Sequence, residues 1–252
     1  MYVRLSNATW ERIEPFLAKH PLVRLGSSTR TFLQAVLWIL RTGSQWRALP
    51  AELGLWNTVF KRFRRWVERE IFEDLLDYLS READCEFVSV DSTTARAHMS
   101  AAGAPSSAGG QQHQSLGRSR GGFSTKIHVK TDALGLPLKL TLTAGHRGDM
   151  VGVWDVLEPE DRCASALLAD RAYDSSKLRQ RLEQIGVQAV IPCSASRAQK
   201  IEYDKDLYKE RHGVDCFINK IKWFRRVDTR YDRLDKTYLG FIHFASCMIW
   251  LR

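Results

Sequence analysis

The sequence lacks the cysteine patterns that mark disulfide-rich and zinc-binding proteins. Its five cysteines stand far apart, and no two of them are separated by only two residues. Neither a disulfide framework nor a zinc site is therefore indicated. Scattered cysteines of this kind are typical of reduced thiols in the cytoplasm, where we expect the protein to reside.

Segments that would target the chain to a membrane are also missing. Residues 1–6 show no signal-peptide pattern, and the apolar run at 238–251 contains His243 and is short for a membrane span. No glycine-rich phosphate-binding loop precedes a predicted helix. We therefore expect a protein that uses neither a membrane nor a nucleotide.

Acidic residues are the minority among the charged side chains. The 252 residues include 29 Asp+Glu against 38 Lys+Arg, which gives a net charge of +9. This excess favours a polyanionic partner such as nucleic acid, although an ordinary basic protein has the same balance. The hydrophobic content of 44% is enough for a core, and the length suits one large domain or two smaller ones.

The first third of the chain has a helical pattern. Ser6 or Asn7 can cap a first helix, and a second helix is predicted over 31–41 with Gly43 at its end. After a short turn comes a basic third helix over 56–67, an order that resembles a helix-turn-helix module. A small helical bundle with a charged exterior is the alternative. The predicted DNA contacts on the third helix are Lys61, Arg62, Arg64 and Arg65.

Residues 100–122 are rich in Gly, Ser, Ala and Gln and have few hydrophobic side chains. This composition predicts a flexible loop. A plain linker between domains is one interpretation, but a strand pattern resumes at Phe123, so we predict an insertion within one domain. Arg118 and Arg120 lie among small residues, which suits contacts with DNA phosphates.

Two predicted strands end directly in aspartates. The five predicted strands are 86–90, 123–131, 137–143, 165–169 and 187–192. Asp91 follows the first of them and Asp170 follows the fourth. Carboxylates at the ends of neighbouring strands meet in one crevice, where their mutual repulsion favours a bound Mg²⁺ or Mn²⁺. Taken singly, each aspartate is also explained as a cap or a turn residue.

A third carboxylate lies in a later helical segment. Tyr208, Arg211, Asp215 and Lys222 are three, four and seven residues apart, and Arg226 continues the same stripe. These offsets return to one side of a helix. One carboxylate among basic and hydrogen-bonding groups suits a site for a metal ion and a phosphodiester. A solvated helix face with an ion pair four residues apart is the alternative.

The motifs of the chain, in this order, resemble the DDE transposases of bacterial insertion sequences, most closely insertion sequence family five. They are RTGSQWRALP at 41–50, VSVDSTTARAH at 88–98, GRSRGGFSTKIH at 117–128, LADRAYDS at 168–175 and YKERHGVDCFINKIKWFRRVDTRYD at 208–232. The resemblance runs from Leu5 to Arg252, which is nearly the whole chain.

This resemblance implies a ribonuclease-H-like fold. Two aspartates and a glutamate would hold two Mg²⁺ ions, for which Mn²⁺ can substitute, and these activate water or a 3′-hydroxyl to attack DNA phosphodiesters. Asp91 and Asp170 match the first two acids, and Asp215 stands where the family has glutamate. The residues that match the family's DNA-contacting positions are Tyr208, Arg211 and Lys222, and Tyr173 follows Asp170 at the family spacing.

Aspartate at 215 is one methylene shorter than the family's glutamate. A displacement of about 1 Å in a reacting group can cost roughly a hundredfold in rate. Glu210 precedes Asp215 by five residues, about 140° around a helix, so we do not expect it to replace Asp215. Aspartate also binds Mg²⁺, and we therefore expect weakened activity.

The expected architecture is α/β. A ribonuclease-H-like catalytic domain at 83–252, with a mixed five-stranded sheet, follows an all-α helix-turn-helix-like DNA-binding domain at 1–82. The expected function is transposition, by metal-dependent cleavage at the ends of an insertion sequence and strand transfer to target DNA. A dimer or larger assembly on double-stranded inverted repeats is expected. The alternatives are a relic that only binds DNA and a related metal-dependent nuclease.

Overall fold

The computed structural model describes residues 5–119, 121–157 and 164–252. Within these ranges the chain forms nine α-helices and seven β-strands. The helices are α1 (Asn7–Lys19), α2 (Ser27–Thr42), α3 (Trp56–Glu68), α4 (Ile71–Leu79), α5 (Met150–Val156), α6 (Ser176–Gln184), α7 (His212–Lys222), α8 (Arg225–Asp228) and α9 (Asp235–Trp250). The strands are β1 (Phe87–Ala97), β2 (Gly117–Ser119), β3 (Gly122–Thr131), β4 (Pro137–Ala144), β5 (Ala166–Ala169), β6 (Gln188–Val190) and β7 (Thr229–Arg230).

The chain divides into two compact units, which we call the helical unit and the sheet unit. The helical unit holds residues 1–81, 96–114 and 220–252, and the sheet unit holds 82–95 and 115–219. This grouping differs from the predicted division at 82/83, because the chain returns twice to the helical unit. The second return brings in α9, whose residues from Thr237 to Ile249 are almost all buried.

Helix α9 lies at the centre of the helical unit. Phe241 stacks on Phe63 of α3 with ring centroids 4.3 Å apart, and Phe244 contacts Phe72 of α4 at 5.2 Å. The apolar run near the end of the sequence is therefore a core helix of this unit. Across the described ranges, none of the helices has the length and apolar character that crossing a membrane requires.

Local signals set the ends of the first two helices. Ser6 caps α1, with its Oγ accepting a hydrogen bond from Thr9 N at 3.0 Å, and Gly43 ends α2 with a φ of 67°. Both of these predictions are confirmed. The connection between α2 and α3, residues 43–55, contains two 3-10 turns and is longer than the turn of three to four residues in helix-turn-helix units.

The sheet has the order β2-β3-β1-β5-β6, with β4 added on β3 and β7 on β1. Strands β1, β5 and β6 are parallel, whereas β3 runs antiparallel to β2 and β4. The predicted mixed sheet is confirmed, and it has two more strands than predicted. Strands β2 and β7 have three and two residues, which is too short to produce a periodic pattern.

Strand β1 runs further than the sequence predicted. It continues through Asp91 to Ala97, so the prediction that Asp91 ends its strand is wrong. Residues 92–94 are Ser, Thr and Thr, and β-branched threonine favours extended backbone. The matching prediction for Asp170 is confirmed, since β5 ends at Ala169.

Both faces of the central strands are buried. Val88, Val90 and Leu167 pack with Leu178 and Leu182 of α6 on one face. The other face has Phe87, Ala166 and Leu168, against which Leu207 and Tyr208 pack. Because side chains alternate along a strand, an apolar run such as 166–169 can supply both cores.

Between β1 and β2, residues 98–116 form a loop with 3-10 turns at Met99–Ala101, Ser106–Ala108 and Gln111–His113. Gln114 anchors the part that belongs to the helical unit. Its side chain donates to the Ala108 carbonyl at 2.7 Å and accepts from Asp235 N at 3.0 Å.

The turn between β3 and β4 fixes the start of α7. Asp132 Oδ1 accepts hydrogen bonds from Leu134 N and Leu136 N. Gly135 has a φ of +73°, and a Cβ there would lie 2.6 Å from the carbonyl oxygen of Gly213 in the first turn of α7. The backbone of Gly135 therefore packs directly against the backbone of Gly213. This contact fixes the position of the first turn of α7, which carries Asp215.

Gly135→Ala should lower the free energy of unfolding by the sum of two costs. The left-handed conformation costs a side chain about 1–2 kcal/mol, and forcing atoms into a filled space costs about 1–3 kcal/mol more. The matched control is Gly186→Ala, since Gly186 has a φ of +76° but open space around its Cβ position. Urea unfolding compares the two variants. Equal losses would show that the Gly135–Gly213 contact does not constrain α7.

Candidate active site

The register of two parallel strands brings the first two predicted acids together. Val88 pairs with Leu167 and Val90 pairs with Ala169. Asp91 and Asp170 are the next residues along the two strands, Asp91 within β1 and Asp170 directly after the end of β5, so they are neighbours. The negative charge of Asp170 is close enough to contribute to raising the pKa of Asp91.

Asp91 is a largely buried carboxylate, with 18% of its side chain exposed. Its Oδ1 accepts a hydrogen bond from Ser92 N at 2.7 Å, and its Oδ2 accepts one from Arg211 Nη1 at 2.9 Å. Burial raises the pKa of Asp91 above its ordinary value, and Asp170 adds to this effect. Ser92 and Arg211 oppose the rise without cancelling it. The ionised form of Asp91 is thus held at a cost in free energy.

Asp170 caps a short turn, which is one of the two roles that the sequence left open. Its Oδ1 accepts a hydrogen bond from Ala172 N at 2.8 Å, which caps the 3-10 turn Arg171–Tyr173. The interpretation as a cap is therefore confirmed. One cap bond to Oδ1 still leaves a partly exposed carboxylate beside Asp91 at the edge of the sheet.

Arg211 joins the first and third predicted acids. Its Nη2 donates to Asp215 Oδ2 at 2.8 Å while its Nη1 donates to Asp91 Oδ2 at 2.9 Å. Burial would lower the pKa of Arg211, but Asp215 and Asp91 outweigh it and raise the pKa. The guanidinium therefore stays charged between the two carboxylates. The predicted pair of Arg211 and Asp215, four residues apart, is present as part of this three-membered network.

The predicted single helical stripe is interrupted. Helix α7 begins only at His212, and Tyr208 and Arg211 lie in the 3-10 turn Leu207–Arg211 that precedes it. Lys222 is the last residue of α7 and falls in the helical unit. Tyr208 packs edge-on against Tyr203 with centroids 5.5 Å apart, and the Arg211 guanidinium lies 5.9 Å from the Tyr208 ring. The Tyr208 ring thus lies next to the Arg211 guanidinium.

The donor chemistry of this region fits a hard divalent cation, because carboxylate oxygens are the ligands that Mg²⁺ and Mn²⁺ prefer. The arrangement is incomplete as a cage. In the described ranges, no three Asp, Glu, His or Cys side chains are grouped so that they could hold one metal ion. Asp91 and Asp170 are neighbours, and Asp215 is linked to Asp91 through Arg211.

Asp149 is a fourth carboxylate that the sequence reasoning missed. It accepts hydrogen bonds from Ser92 Oγ at 2.5 Å and from Lys126 Nζ at 2.7 Å. Burial would raise the pKa of Asp149, but these two donors lower it below its ordinary value. Asp149 thereby ties β3 to the residue that follows Asp91. A lysine inside a strand pattern, at Lys126 in FSTKIHV, was the available signal.

Tyr173 lies in the core beneath these groups, with 1% of its surface exposed. Burial and the negative charges of Asp91 and Asp149 raise the pKa of Tyr173 far above its ordinary value. These surroundings therefore favour the protonated phenol.

The remaining predicted DNA contacts have different surroundings. Arg118 is exposed, with its guanidinium 5.7 Å from the Phe123 ring, and Arg120 lies outside the described residues. Of the predicted DNA contacts on α3, Lys61, Arg64 and Arg65 are exposed, whereas Arg62 is partly buried.

Arg226 requires a correction. Only 6% of it is exposed, and its guanidinium donates to Asp232 Oδ1 at 2.9 Å and to the Ser44 carbonyl at 3.1 Å. Arg230 is fully buried in the same unit and donates to three backbone carbonyls. These arginines satisfy internal acceptors, so we remove Arg226 from the predicted DNA surface.

Asp174 shows how a structural aspartate behaves in the same segment. Its side chain has no exposed surface and accepts from Arg179 Nε at 2.9 Å and Arg197 Nε at 2.8 Å. Ser194 N adds a hydrogen bond of 2.7 Å. Burial would raise the pKa of Asp174, but these donors outweigh it and hold the pKa far below its ordinary value.

Asparagine at positions 174 and 91 should therefore have opposite effects on stability. Asp174→Asn removes the charge between two arginines and should lower the free energy of unfolding at pH 7 by about 3 kcal/mol. Asp91→Asn should not lower it, because the ionised carboxylate already costs free energy in the folded state. Denaturant unfolding in EDTA measures both. A loss in Asp91→Asn equal to that in Asp174→Asn would contradict this assignment.

The pH dependence should show the same contrast. Because folding lowers the pKa of Asp174, its stabilising contribution is present above the unfolded value and is lost as pH falls from there. Stability of the unmodified protein should thus decline below pH 3.8, the ordinary carboxyl value. Asp174→Asn should decline less over that window in acid unfolding. Identical pH profiles would contradict the prediction.

Comparison with known proteins identifies the family. The family described as "Putative transposase of IS4/5 family" matches residues 5–76, and the family described as "Transposase DDE domain" matches residues 83–248. The "Putative transposase for insertion sequence element IS6501" of Brucella ovis is 38% identical over 131 residues, which are 52% of this chain and 100% of that protein. The "Putative transposase for insertion sequence element IS402" of Burkholderia cepacia is 28% identical over 136 residues, 50% of this chain and 62% of that protein.

A solved structure gives the fold. The piggyBac transposase, in a synaptic complex with hairpin DNA, aligns with a TM-score of 0.51 at 10% identity, over 93% of this chain and 68% of that one. At this identity the likeness shows the fold alone, which is the ribonuclease-H-like α/β fold. With family matches over both parts of its length, the chain belongs to the DDE transposases of bacterial insertion sequences.

Proposed function

We propose that this transposase catalyses the movement of its insertion sequence. It would cut phosphodiesters at the ends of the element and join them to target DNA. The observation that supports this most directly is the Asp91–Asp170 pair at one edge of β1 and β5, in a chain with a net charge of +9. Paired carboxylates of this kind are retained at a cost in stability, which is typical of functional groups.

Asp91, Asp170 and Asp215 are the residues that would hold Mg²⁺ or Mn²⁺. Two such ions supply a nucleophile at neutral pH and stabilise the attacking and leaving oxygens of a phosphoryl transfer. Two further polar side chains, Lys126 and Asp149, position the backbone of the site. Lys126 and Asp149 hold the strand at Ser92, so the backbone that carries Asp91 is fixed before substrate arrives.

Arg211 supplies positive charge where DNA would approach. Its planar guanidinium suits phosphate oxygens as well as carboxylates. About a fifth of its side chain, 19%, is exposed, so one edge of the group is open to a ligand. Tyr208 keeps Arg211 at this position, which gives both residues a positioning role for the scissile phosphodiester.

The proposed substrate is double-stranded DNA, as terminal inverted repeats and as target. Two ends must be brought together for transposition, so we propose a homodimer or larger assembly on DNA. The structural relative from piggyBac is a synaptic complex with hairpin DNA, which supports this arrangement for the fold. The exposed Arg118 and the basic face of α3 would contact the duplex.

Cleavage of a duplex that carries the ends of the element tests the proposal. With Mg²⁺ or Mn²⁺, the unmodified protein should cut it, and Asp91→Asn or Asp170→Asn should lower the rate by more than about a hundredfold. Asp206→Asn is the matched control, because Asp206 is exposed and its carboxylate pairs with the neighbouring Lys209 on the surface. If Asp91→Asn still cuts the duplex at the original rate, the assignment of Asp91 to the catalytic site is contradicted.

The shorter third acid gives a separate prediction. Asp215→Glu should raise the cleavage rate, by about tenfold to a hundredfold, because the extra methylene restores the length of the family's glutamate. An inactive natural protein with an active Asp215→Glu variant would identify a decayed transposase. If neither the natural protein nor Asp215→Glu cuts DNA but both bind it, the result would identify a protein that only binds DNA. Cleavage without joining would identify a nuclease.

A further inference from the structure

Four arginines of the helical unit surround one cleft. The cleft has a volume of about 540 Å³ and lies between the segment after α1 and the C-terminal half of α3. Arg24, Arg62, Arg65 and Arg69 line it, together with Leu22 and Trp66. Among the described residues that line it there is no Asp or Glu.

The helical period explains why the arginines meet. Arg62, Arg65 and Arg69 are three and four residues apart, which places them on one face at the end of α3. Arg64 belongs to a different face, where its guanidinium pairs with Glu68 at 3.1 Å. Of the arginines of α3, Arg64 is thus paired with a carboxylate, whereas Arg62 and Arg65 face the cleft together with Arg69, the C-cap of the helix.

Two of the cleft arginines are held in place by the protein. Arg62 Nη2 donates to Thr29 Oγ1 at 2.8 Å, and its guanidinium lies 4.4 Å from the Phe32 ring. Arg69 Nη1 donates to the Leu22 carbonyl at 3.3 Å. Side chains fixed before a ligand arrives lose less conformational entropy on binding.

The positive charge in the cleft has no internal compensation. In the described ranges of the chain, none of the four guanidinium groups forms an ion pair with a carboxylate, and Arg24 and Arg65 are exposed. Burial, with the nearby charge of Arg65, lowers the pKa of Arg62. Four like charges around one space repel each other, and a polyanion relieves that repulsion.

We propose that this cleft binds the phosphate backbone of duplex DNA without reading its sequence. Guanidinium groups pair with phosphate oxygens through two parallel hydrogen bonds. A recessed cleft can receive a phosphate, whereas base reading needs a helix face that projects into a groove. Trp66 is only 5% exposed, so it offers no surface for stacking a base.

The inference rests on the proposed function, because it takes DNA as the partner of this transposase. It also changes the role expected for the N-terminal helices. With residues 43–55 in place of a tight turn and this cleft beside α3, α3 would hold the duplex by its backbone. Arg24 and Arg69, which the sequence reasoning did not single out, would act with Arg62 and Arg65.

DNA binding by the full chain tests the proposal. The variant Arg24→Ala/Arg65→Ala removes two exposed side chains that make no hydrogen bond to a described residue. Arg81→Ala is the control, because Arg81 is an exposed arginine of the helical unit that does not line the cleft. Fluorescence anisotropy, in EDTA and over a salt series, would use two duplexes of equal length. One carries the ends of the element and the other has an unrelated sequence.

The double variant should bind both duplexes at least about tenfold more weakly, and the slope of log affinity against log salt should fall by about two. Arg81→Ala should keep the affinity and the salt slope near their original values. A double variant that behaves like Arg81→Ala would overturn the proposal, and so would a loss confined to the element's ends.

The binding and cleavage assays separate the two proposals. A protein that needs the cleft arginines to bind DNA but cuts nothing would support the cleft and contradict the proposed catalysis. A protein that cuts DNA while binding it independently of these arginines would do the reverse. A protein that binds neither duplex would overturn the cleft proposal.

Discussion

Two negative charges held side by side are the constraint on which the sheet unit depends. The parallel register of β1 and β5 leaves Asp91 and Asp170 adjacent, and burial raises the pKa of Asp91. The apolar cores on both faces of these strands keep the register in place. A register shift of one residue would move the aspartates to the opposite face and disrupt the packing of both cores, so packing and site geometry are specified together.

Arg211 compensates this charge and connects two elements. One guanidinium bonds Asp91 on β1 and Asp215 on α7. The backbone contact between Gly135 and Gly213 fixes the same end of α7 from another side. The third acid is thus positioned by a charge network and by close packing. These two devices explain how a helix distant in sequence is brought to the edge of the sheet.

Features with a local cause could be predicted from the sequence. The cap at Ser6, the left-handed Gly43 and the end of β5 at Ala169 each depend on a few neighbouring residues. The mixed α/β fold followed from motif order and strand patterns. The three acids were predicted as site residues from strand and helix patterns, of which the end of β5 before Asp170 is confirmed.

Features with a tertiary cause could not be predicted. Arg226 looked like a surface residue because its partner Asp232 lies six residues away, which is no helical spacing, and its second acceptor is the distant Ser44 carbonyl. Asp149 reaches the site through tertiary contacts, because it accepts hydrogen bonds from Ser92 on β1 and from Lys126 on β3. The arginine cleft depends on the segment after α1 meeting α3, and nothing in the local pattern of either segment indicates that meeting.

The central claim is that Asp91 and Asp170 form the divalent-cation site. Its most direct test is a titration of Mn²⁺ into the protein, without DNA, followed by electron paramagnetic resonance. The account predicts binding by the unmodified protein and by Asp206→Asn, with affinity at least about tenfold weaker in Asp91→Asn and in Asp170→Asn. Equal Mn²⁺ affinity in all four proteins would contradict it.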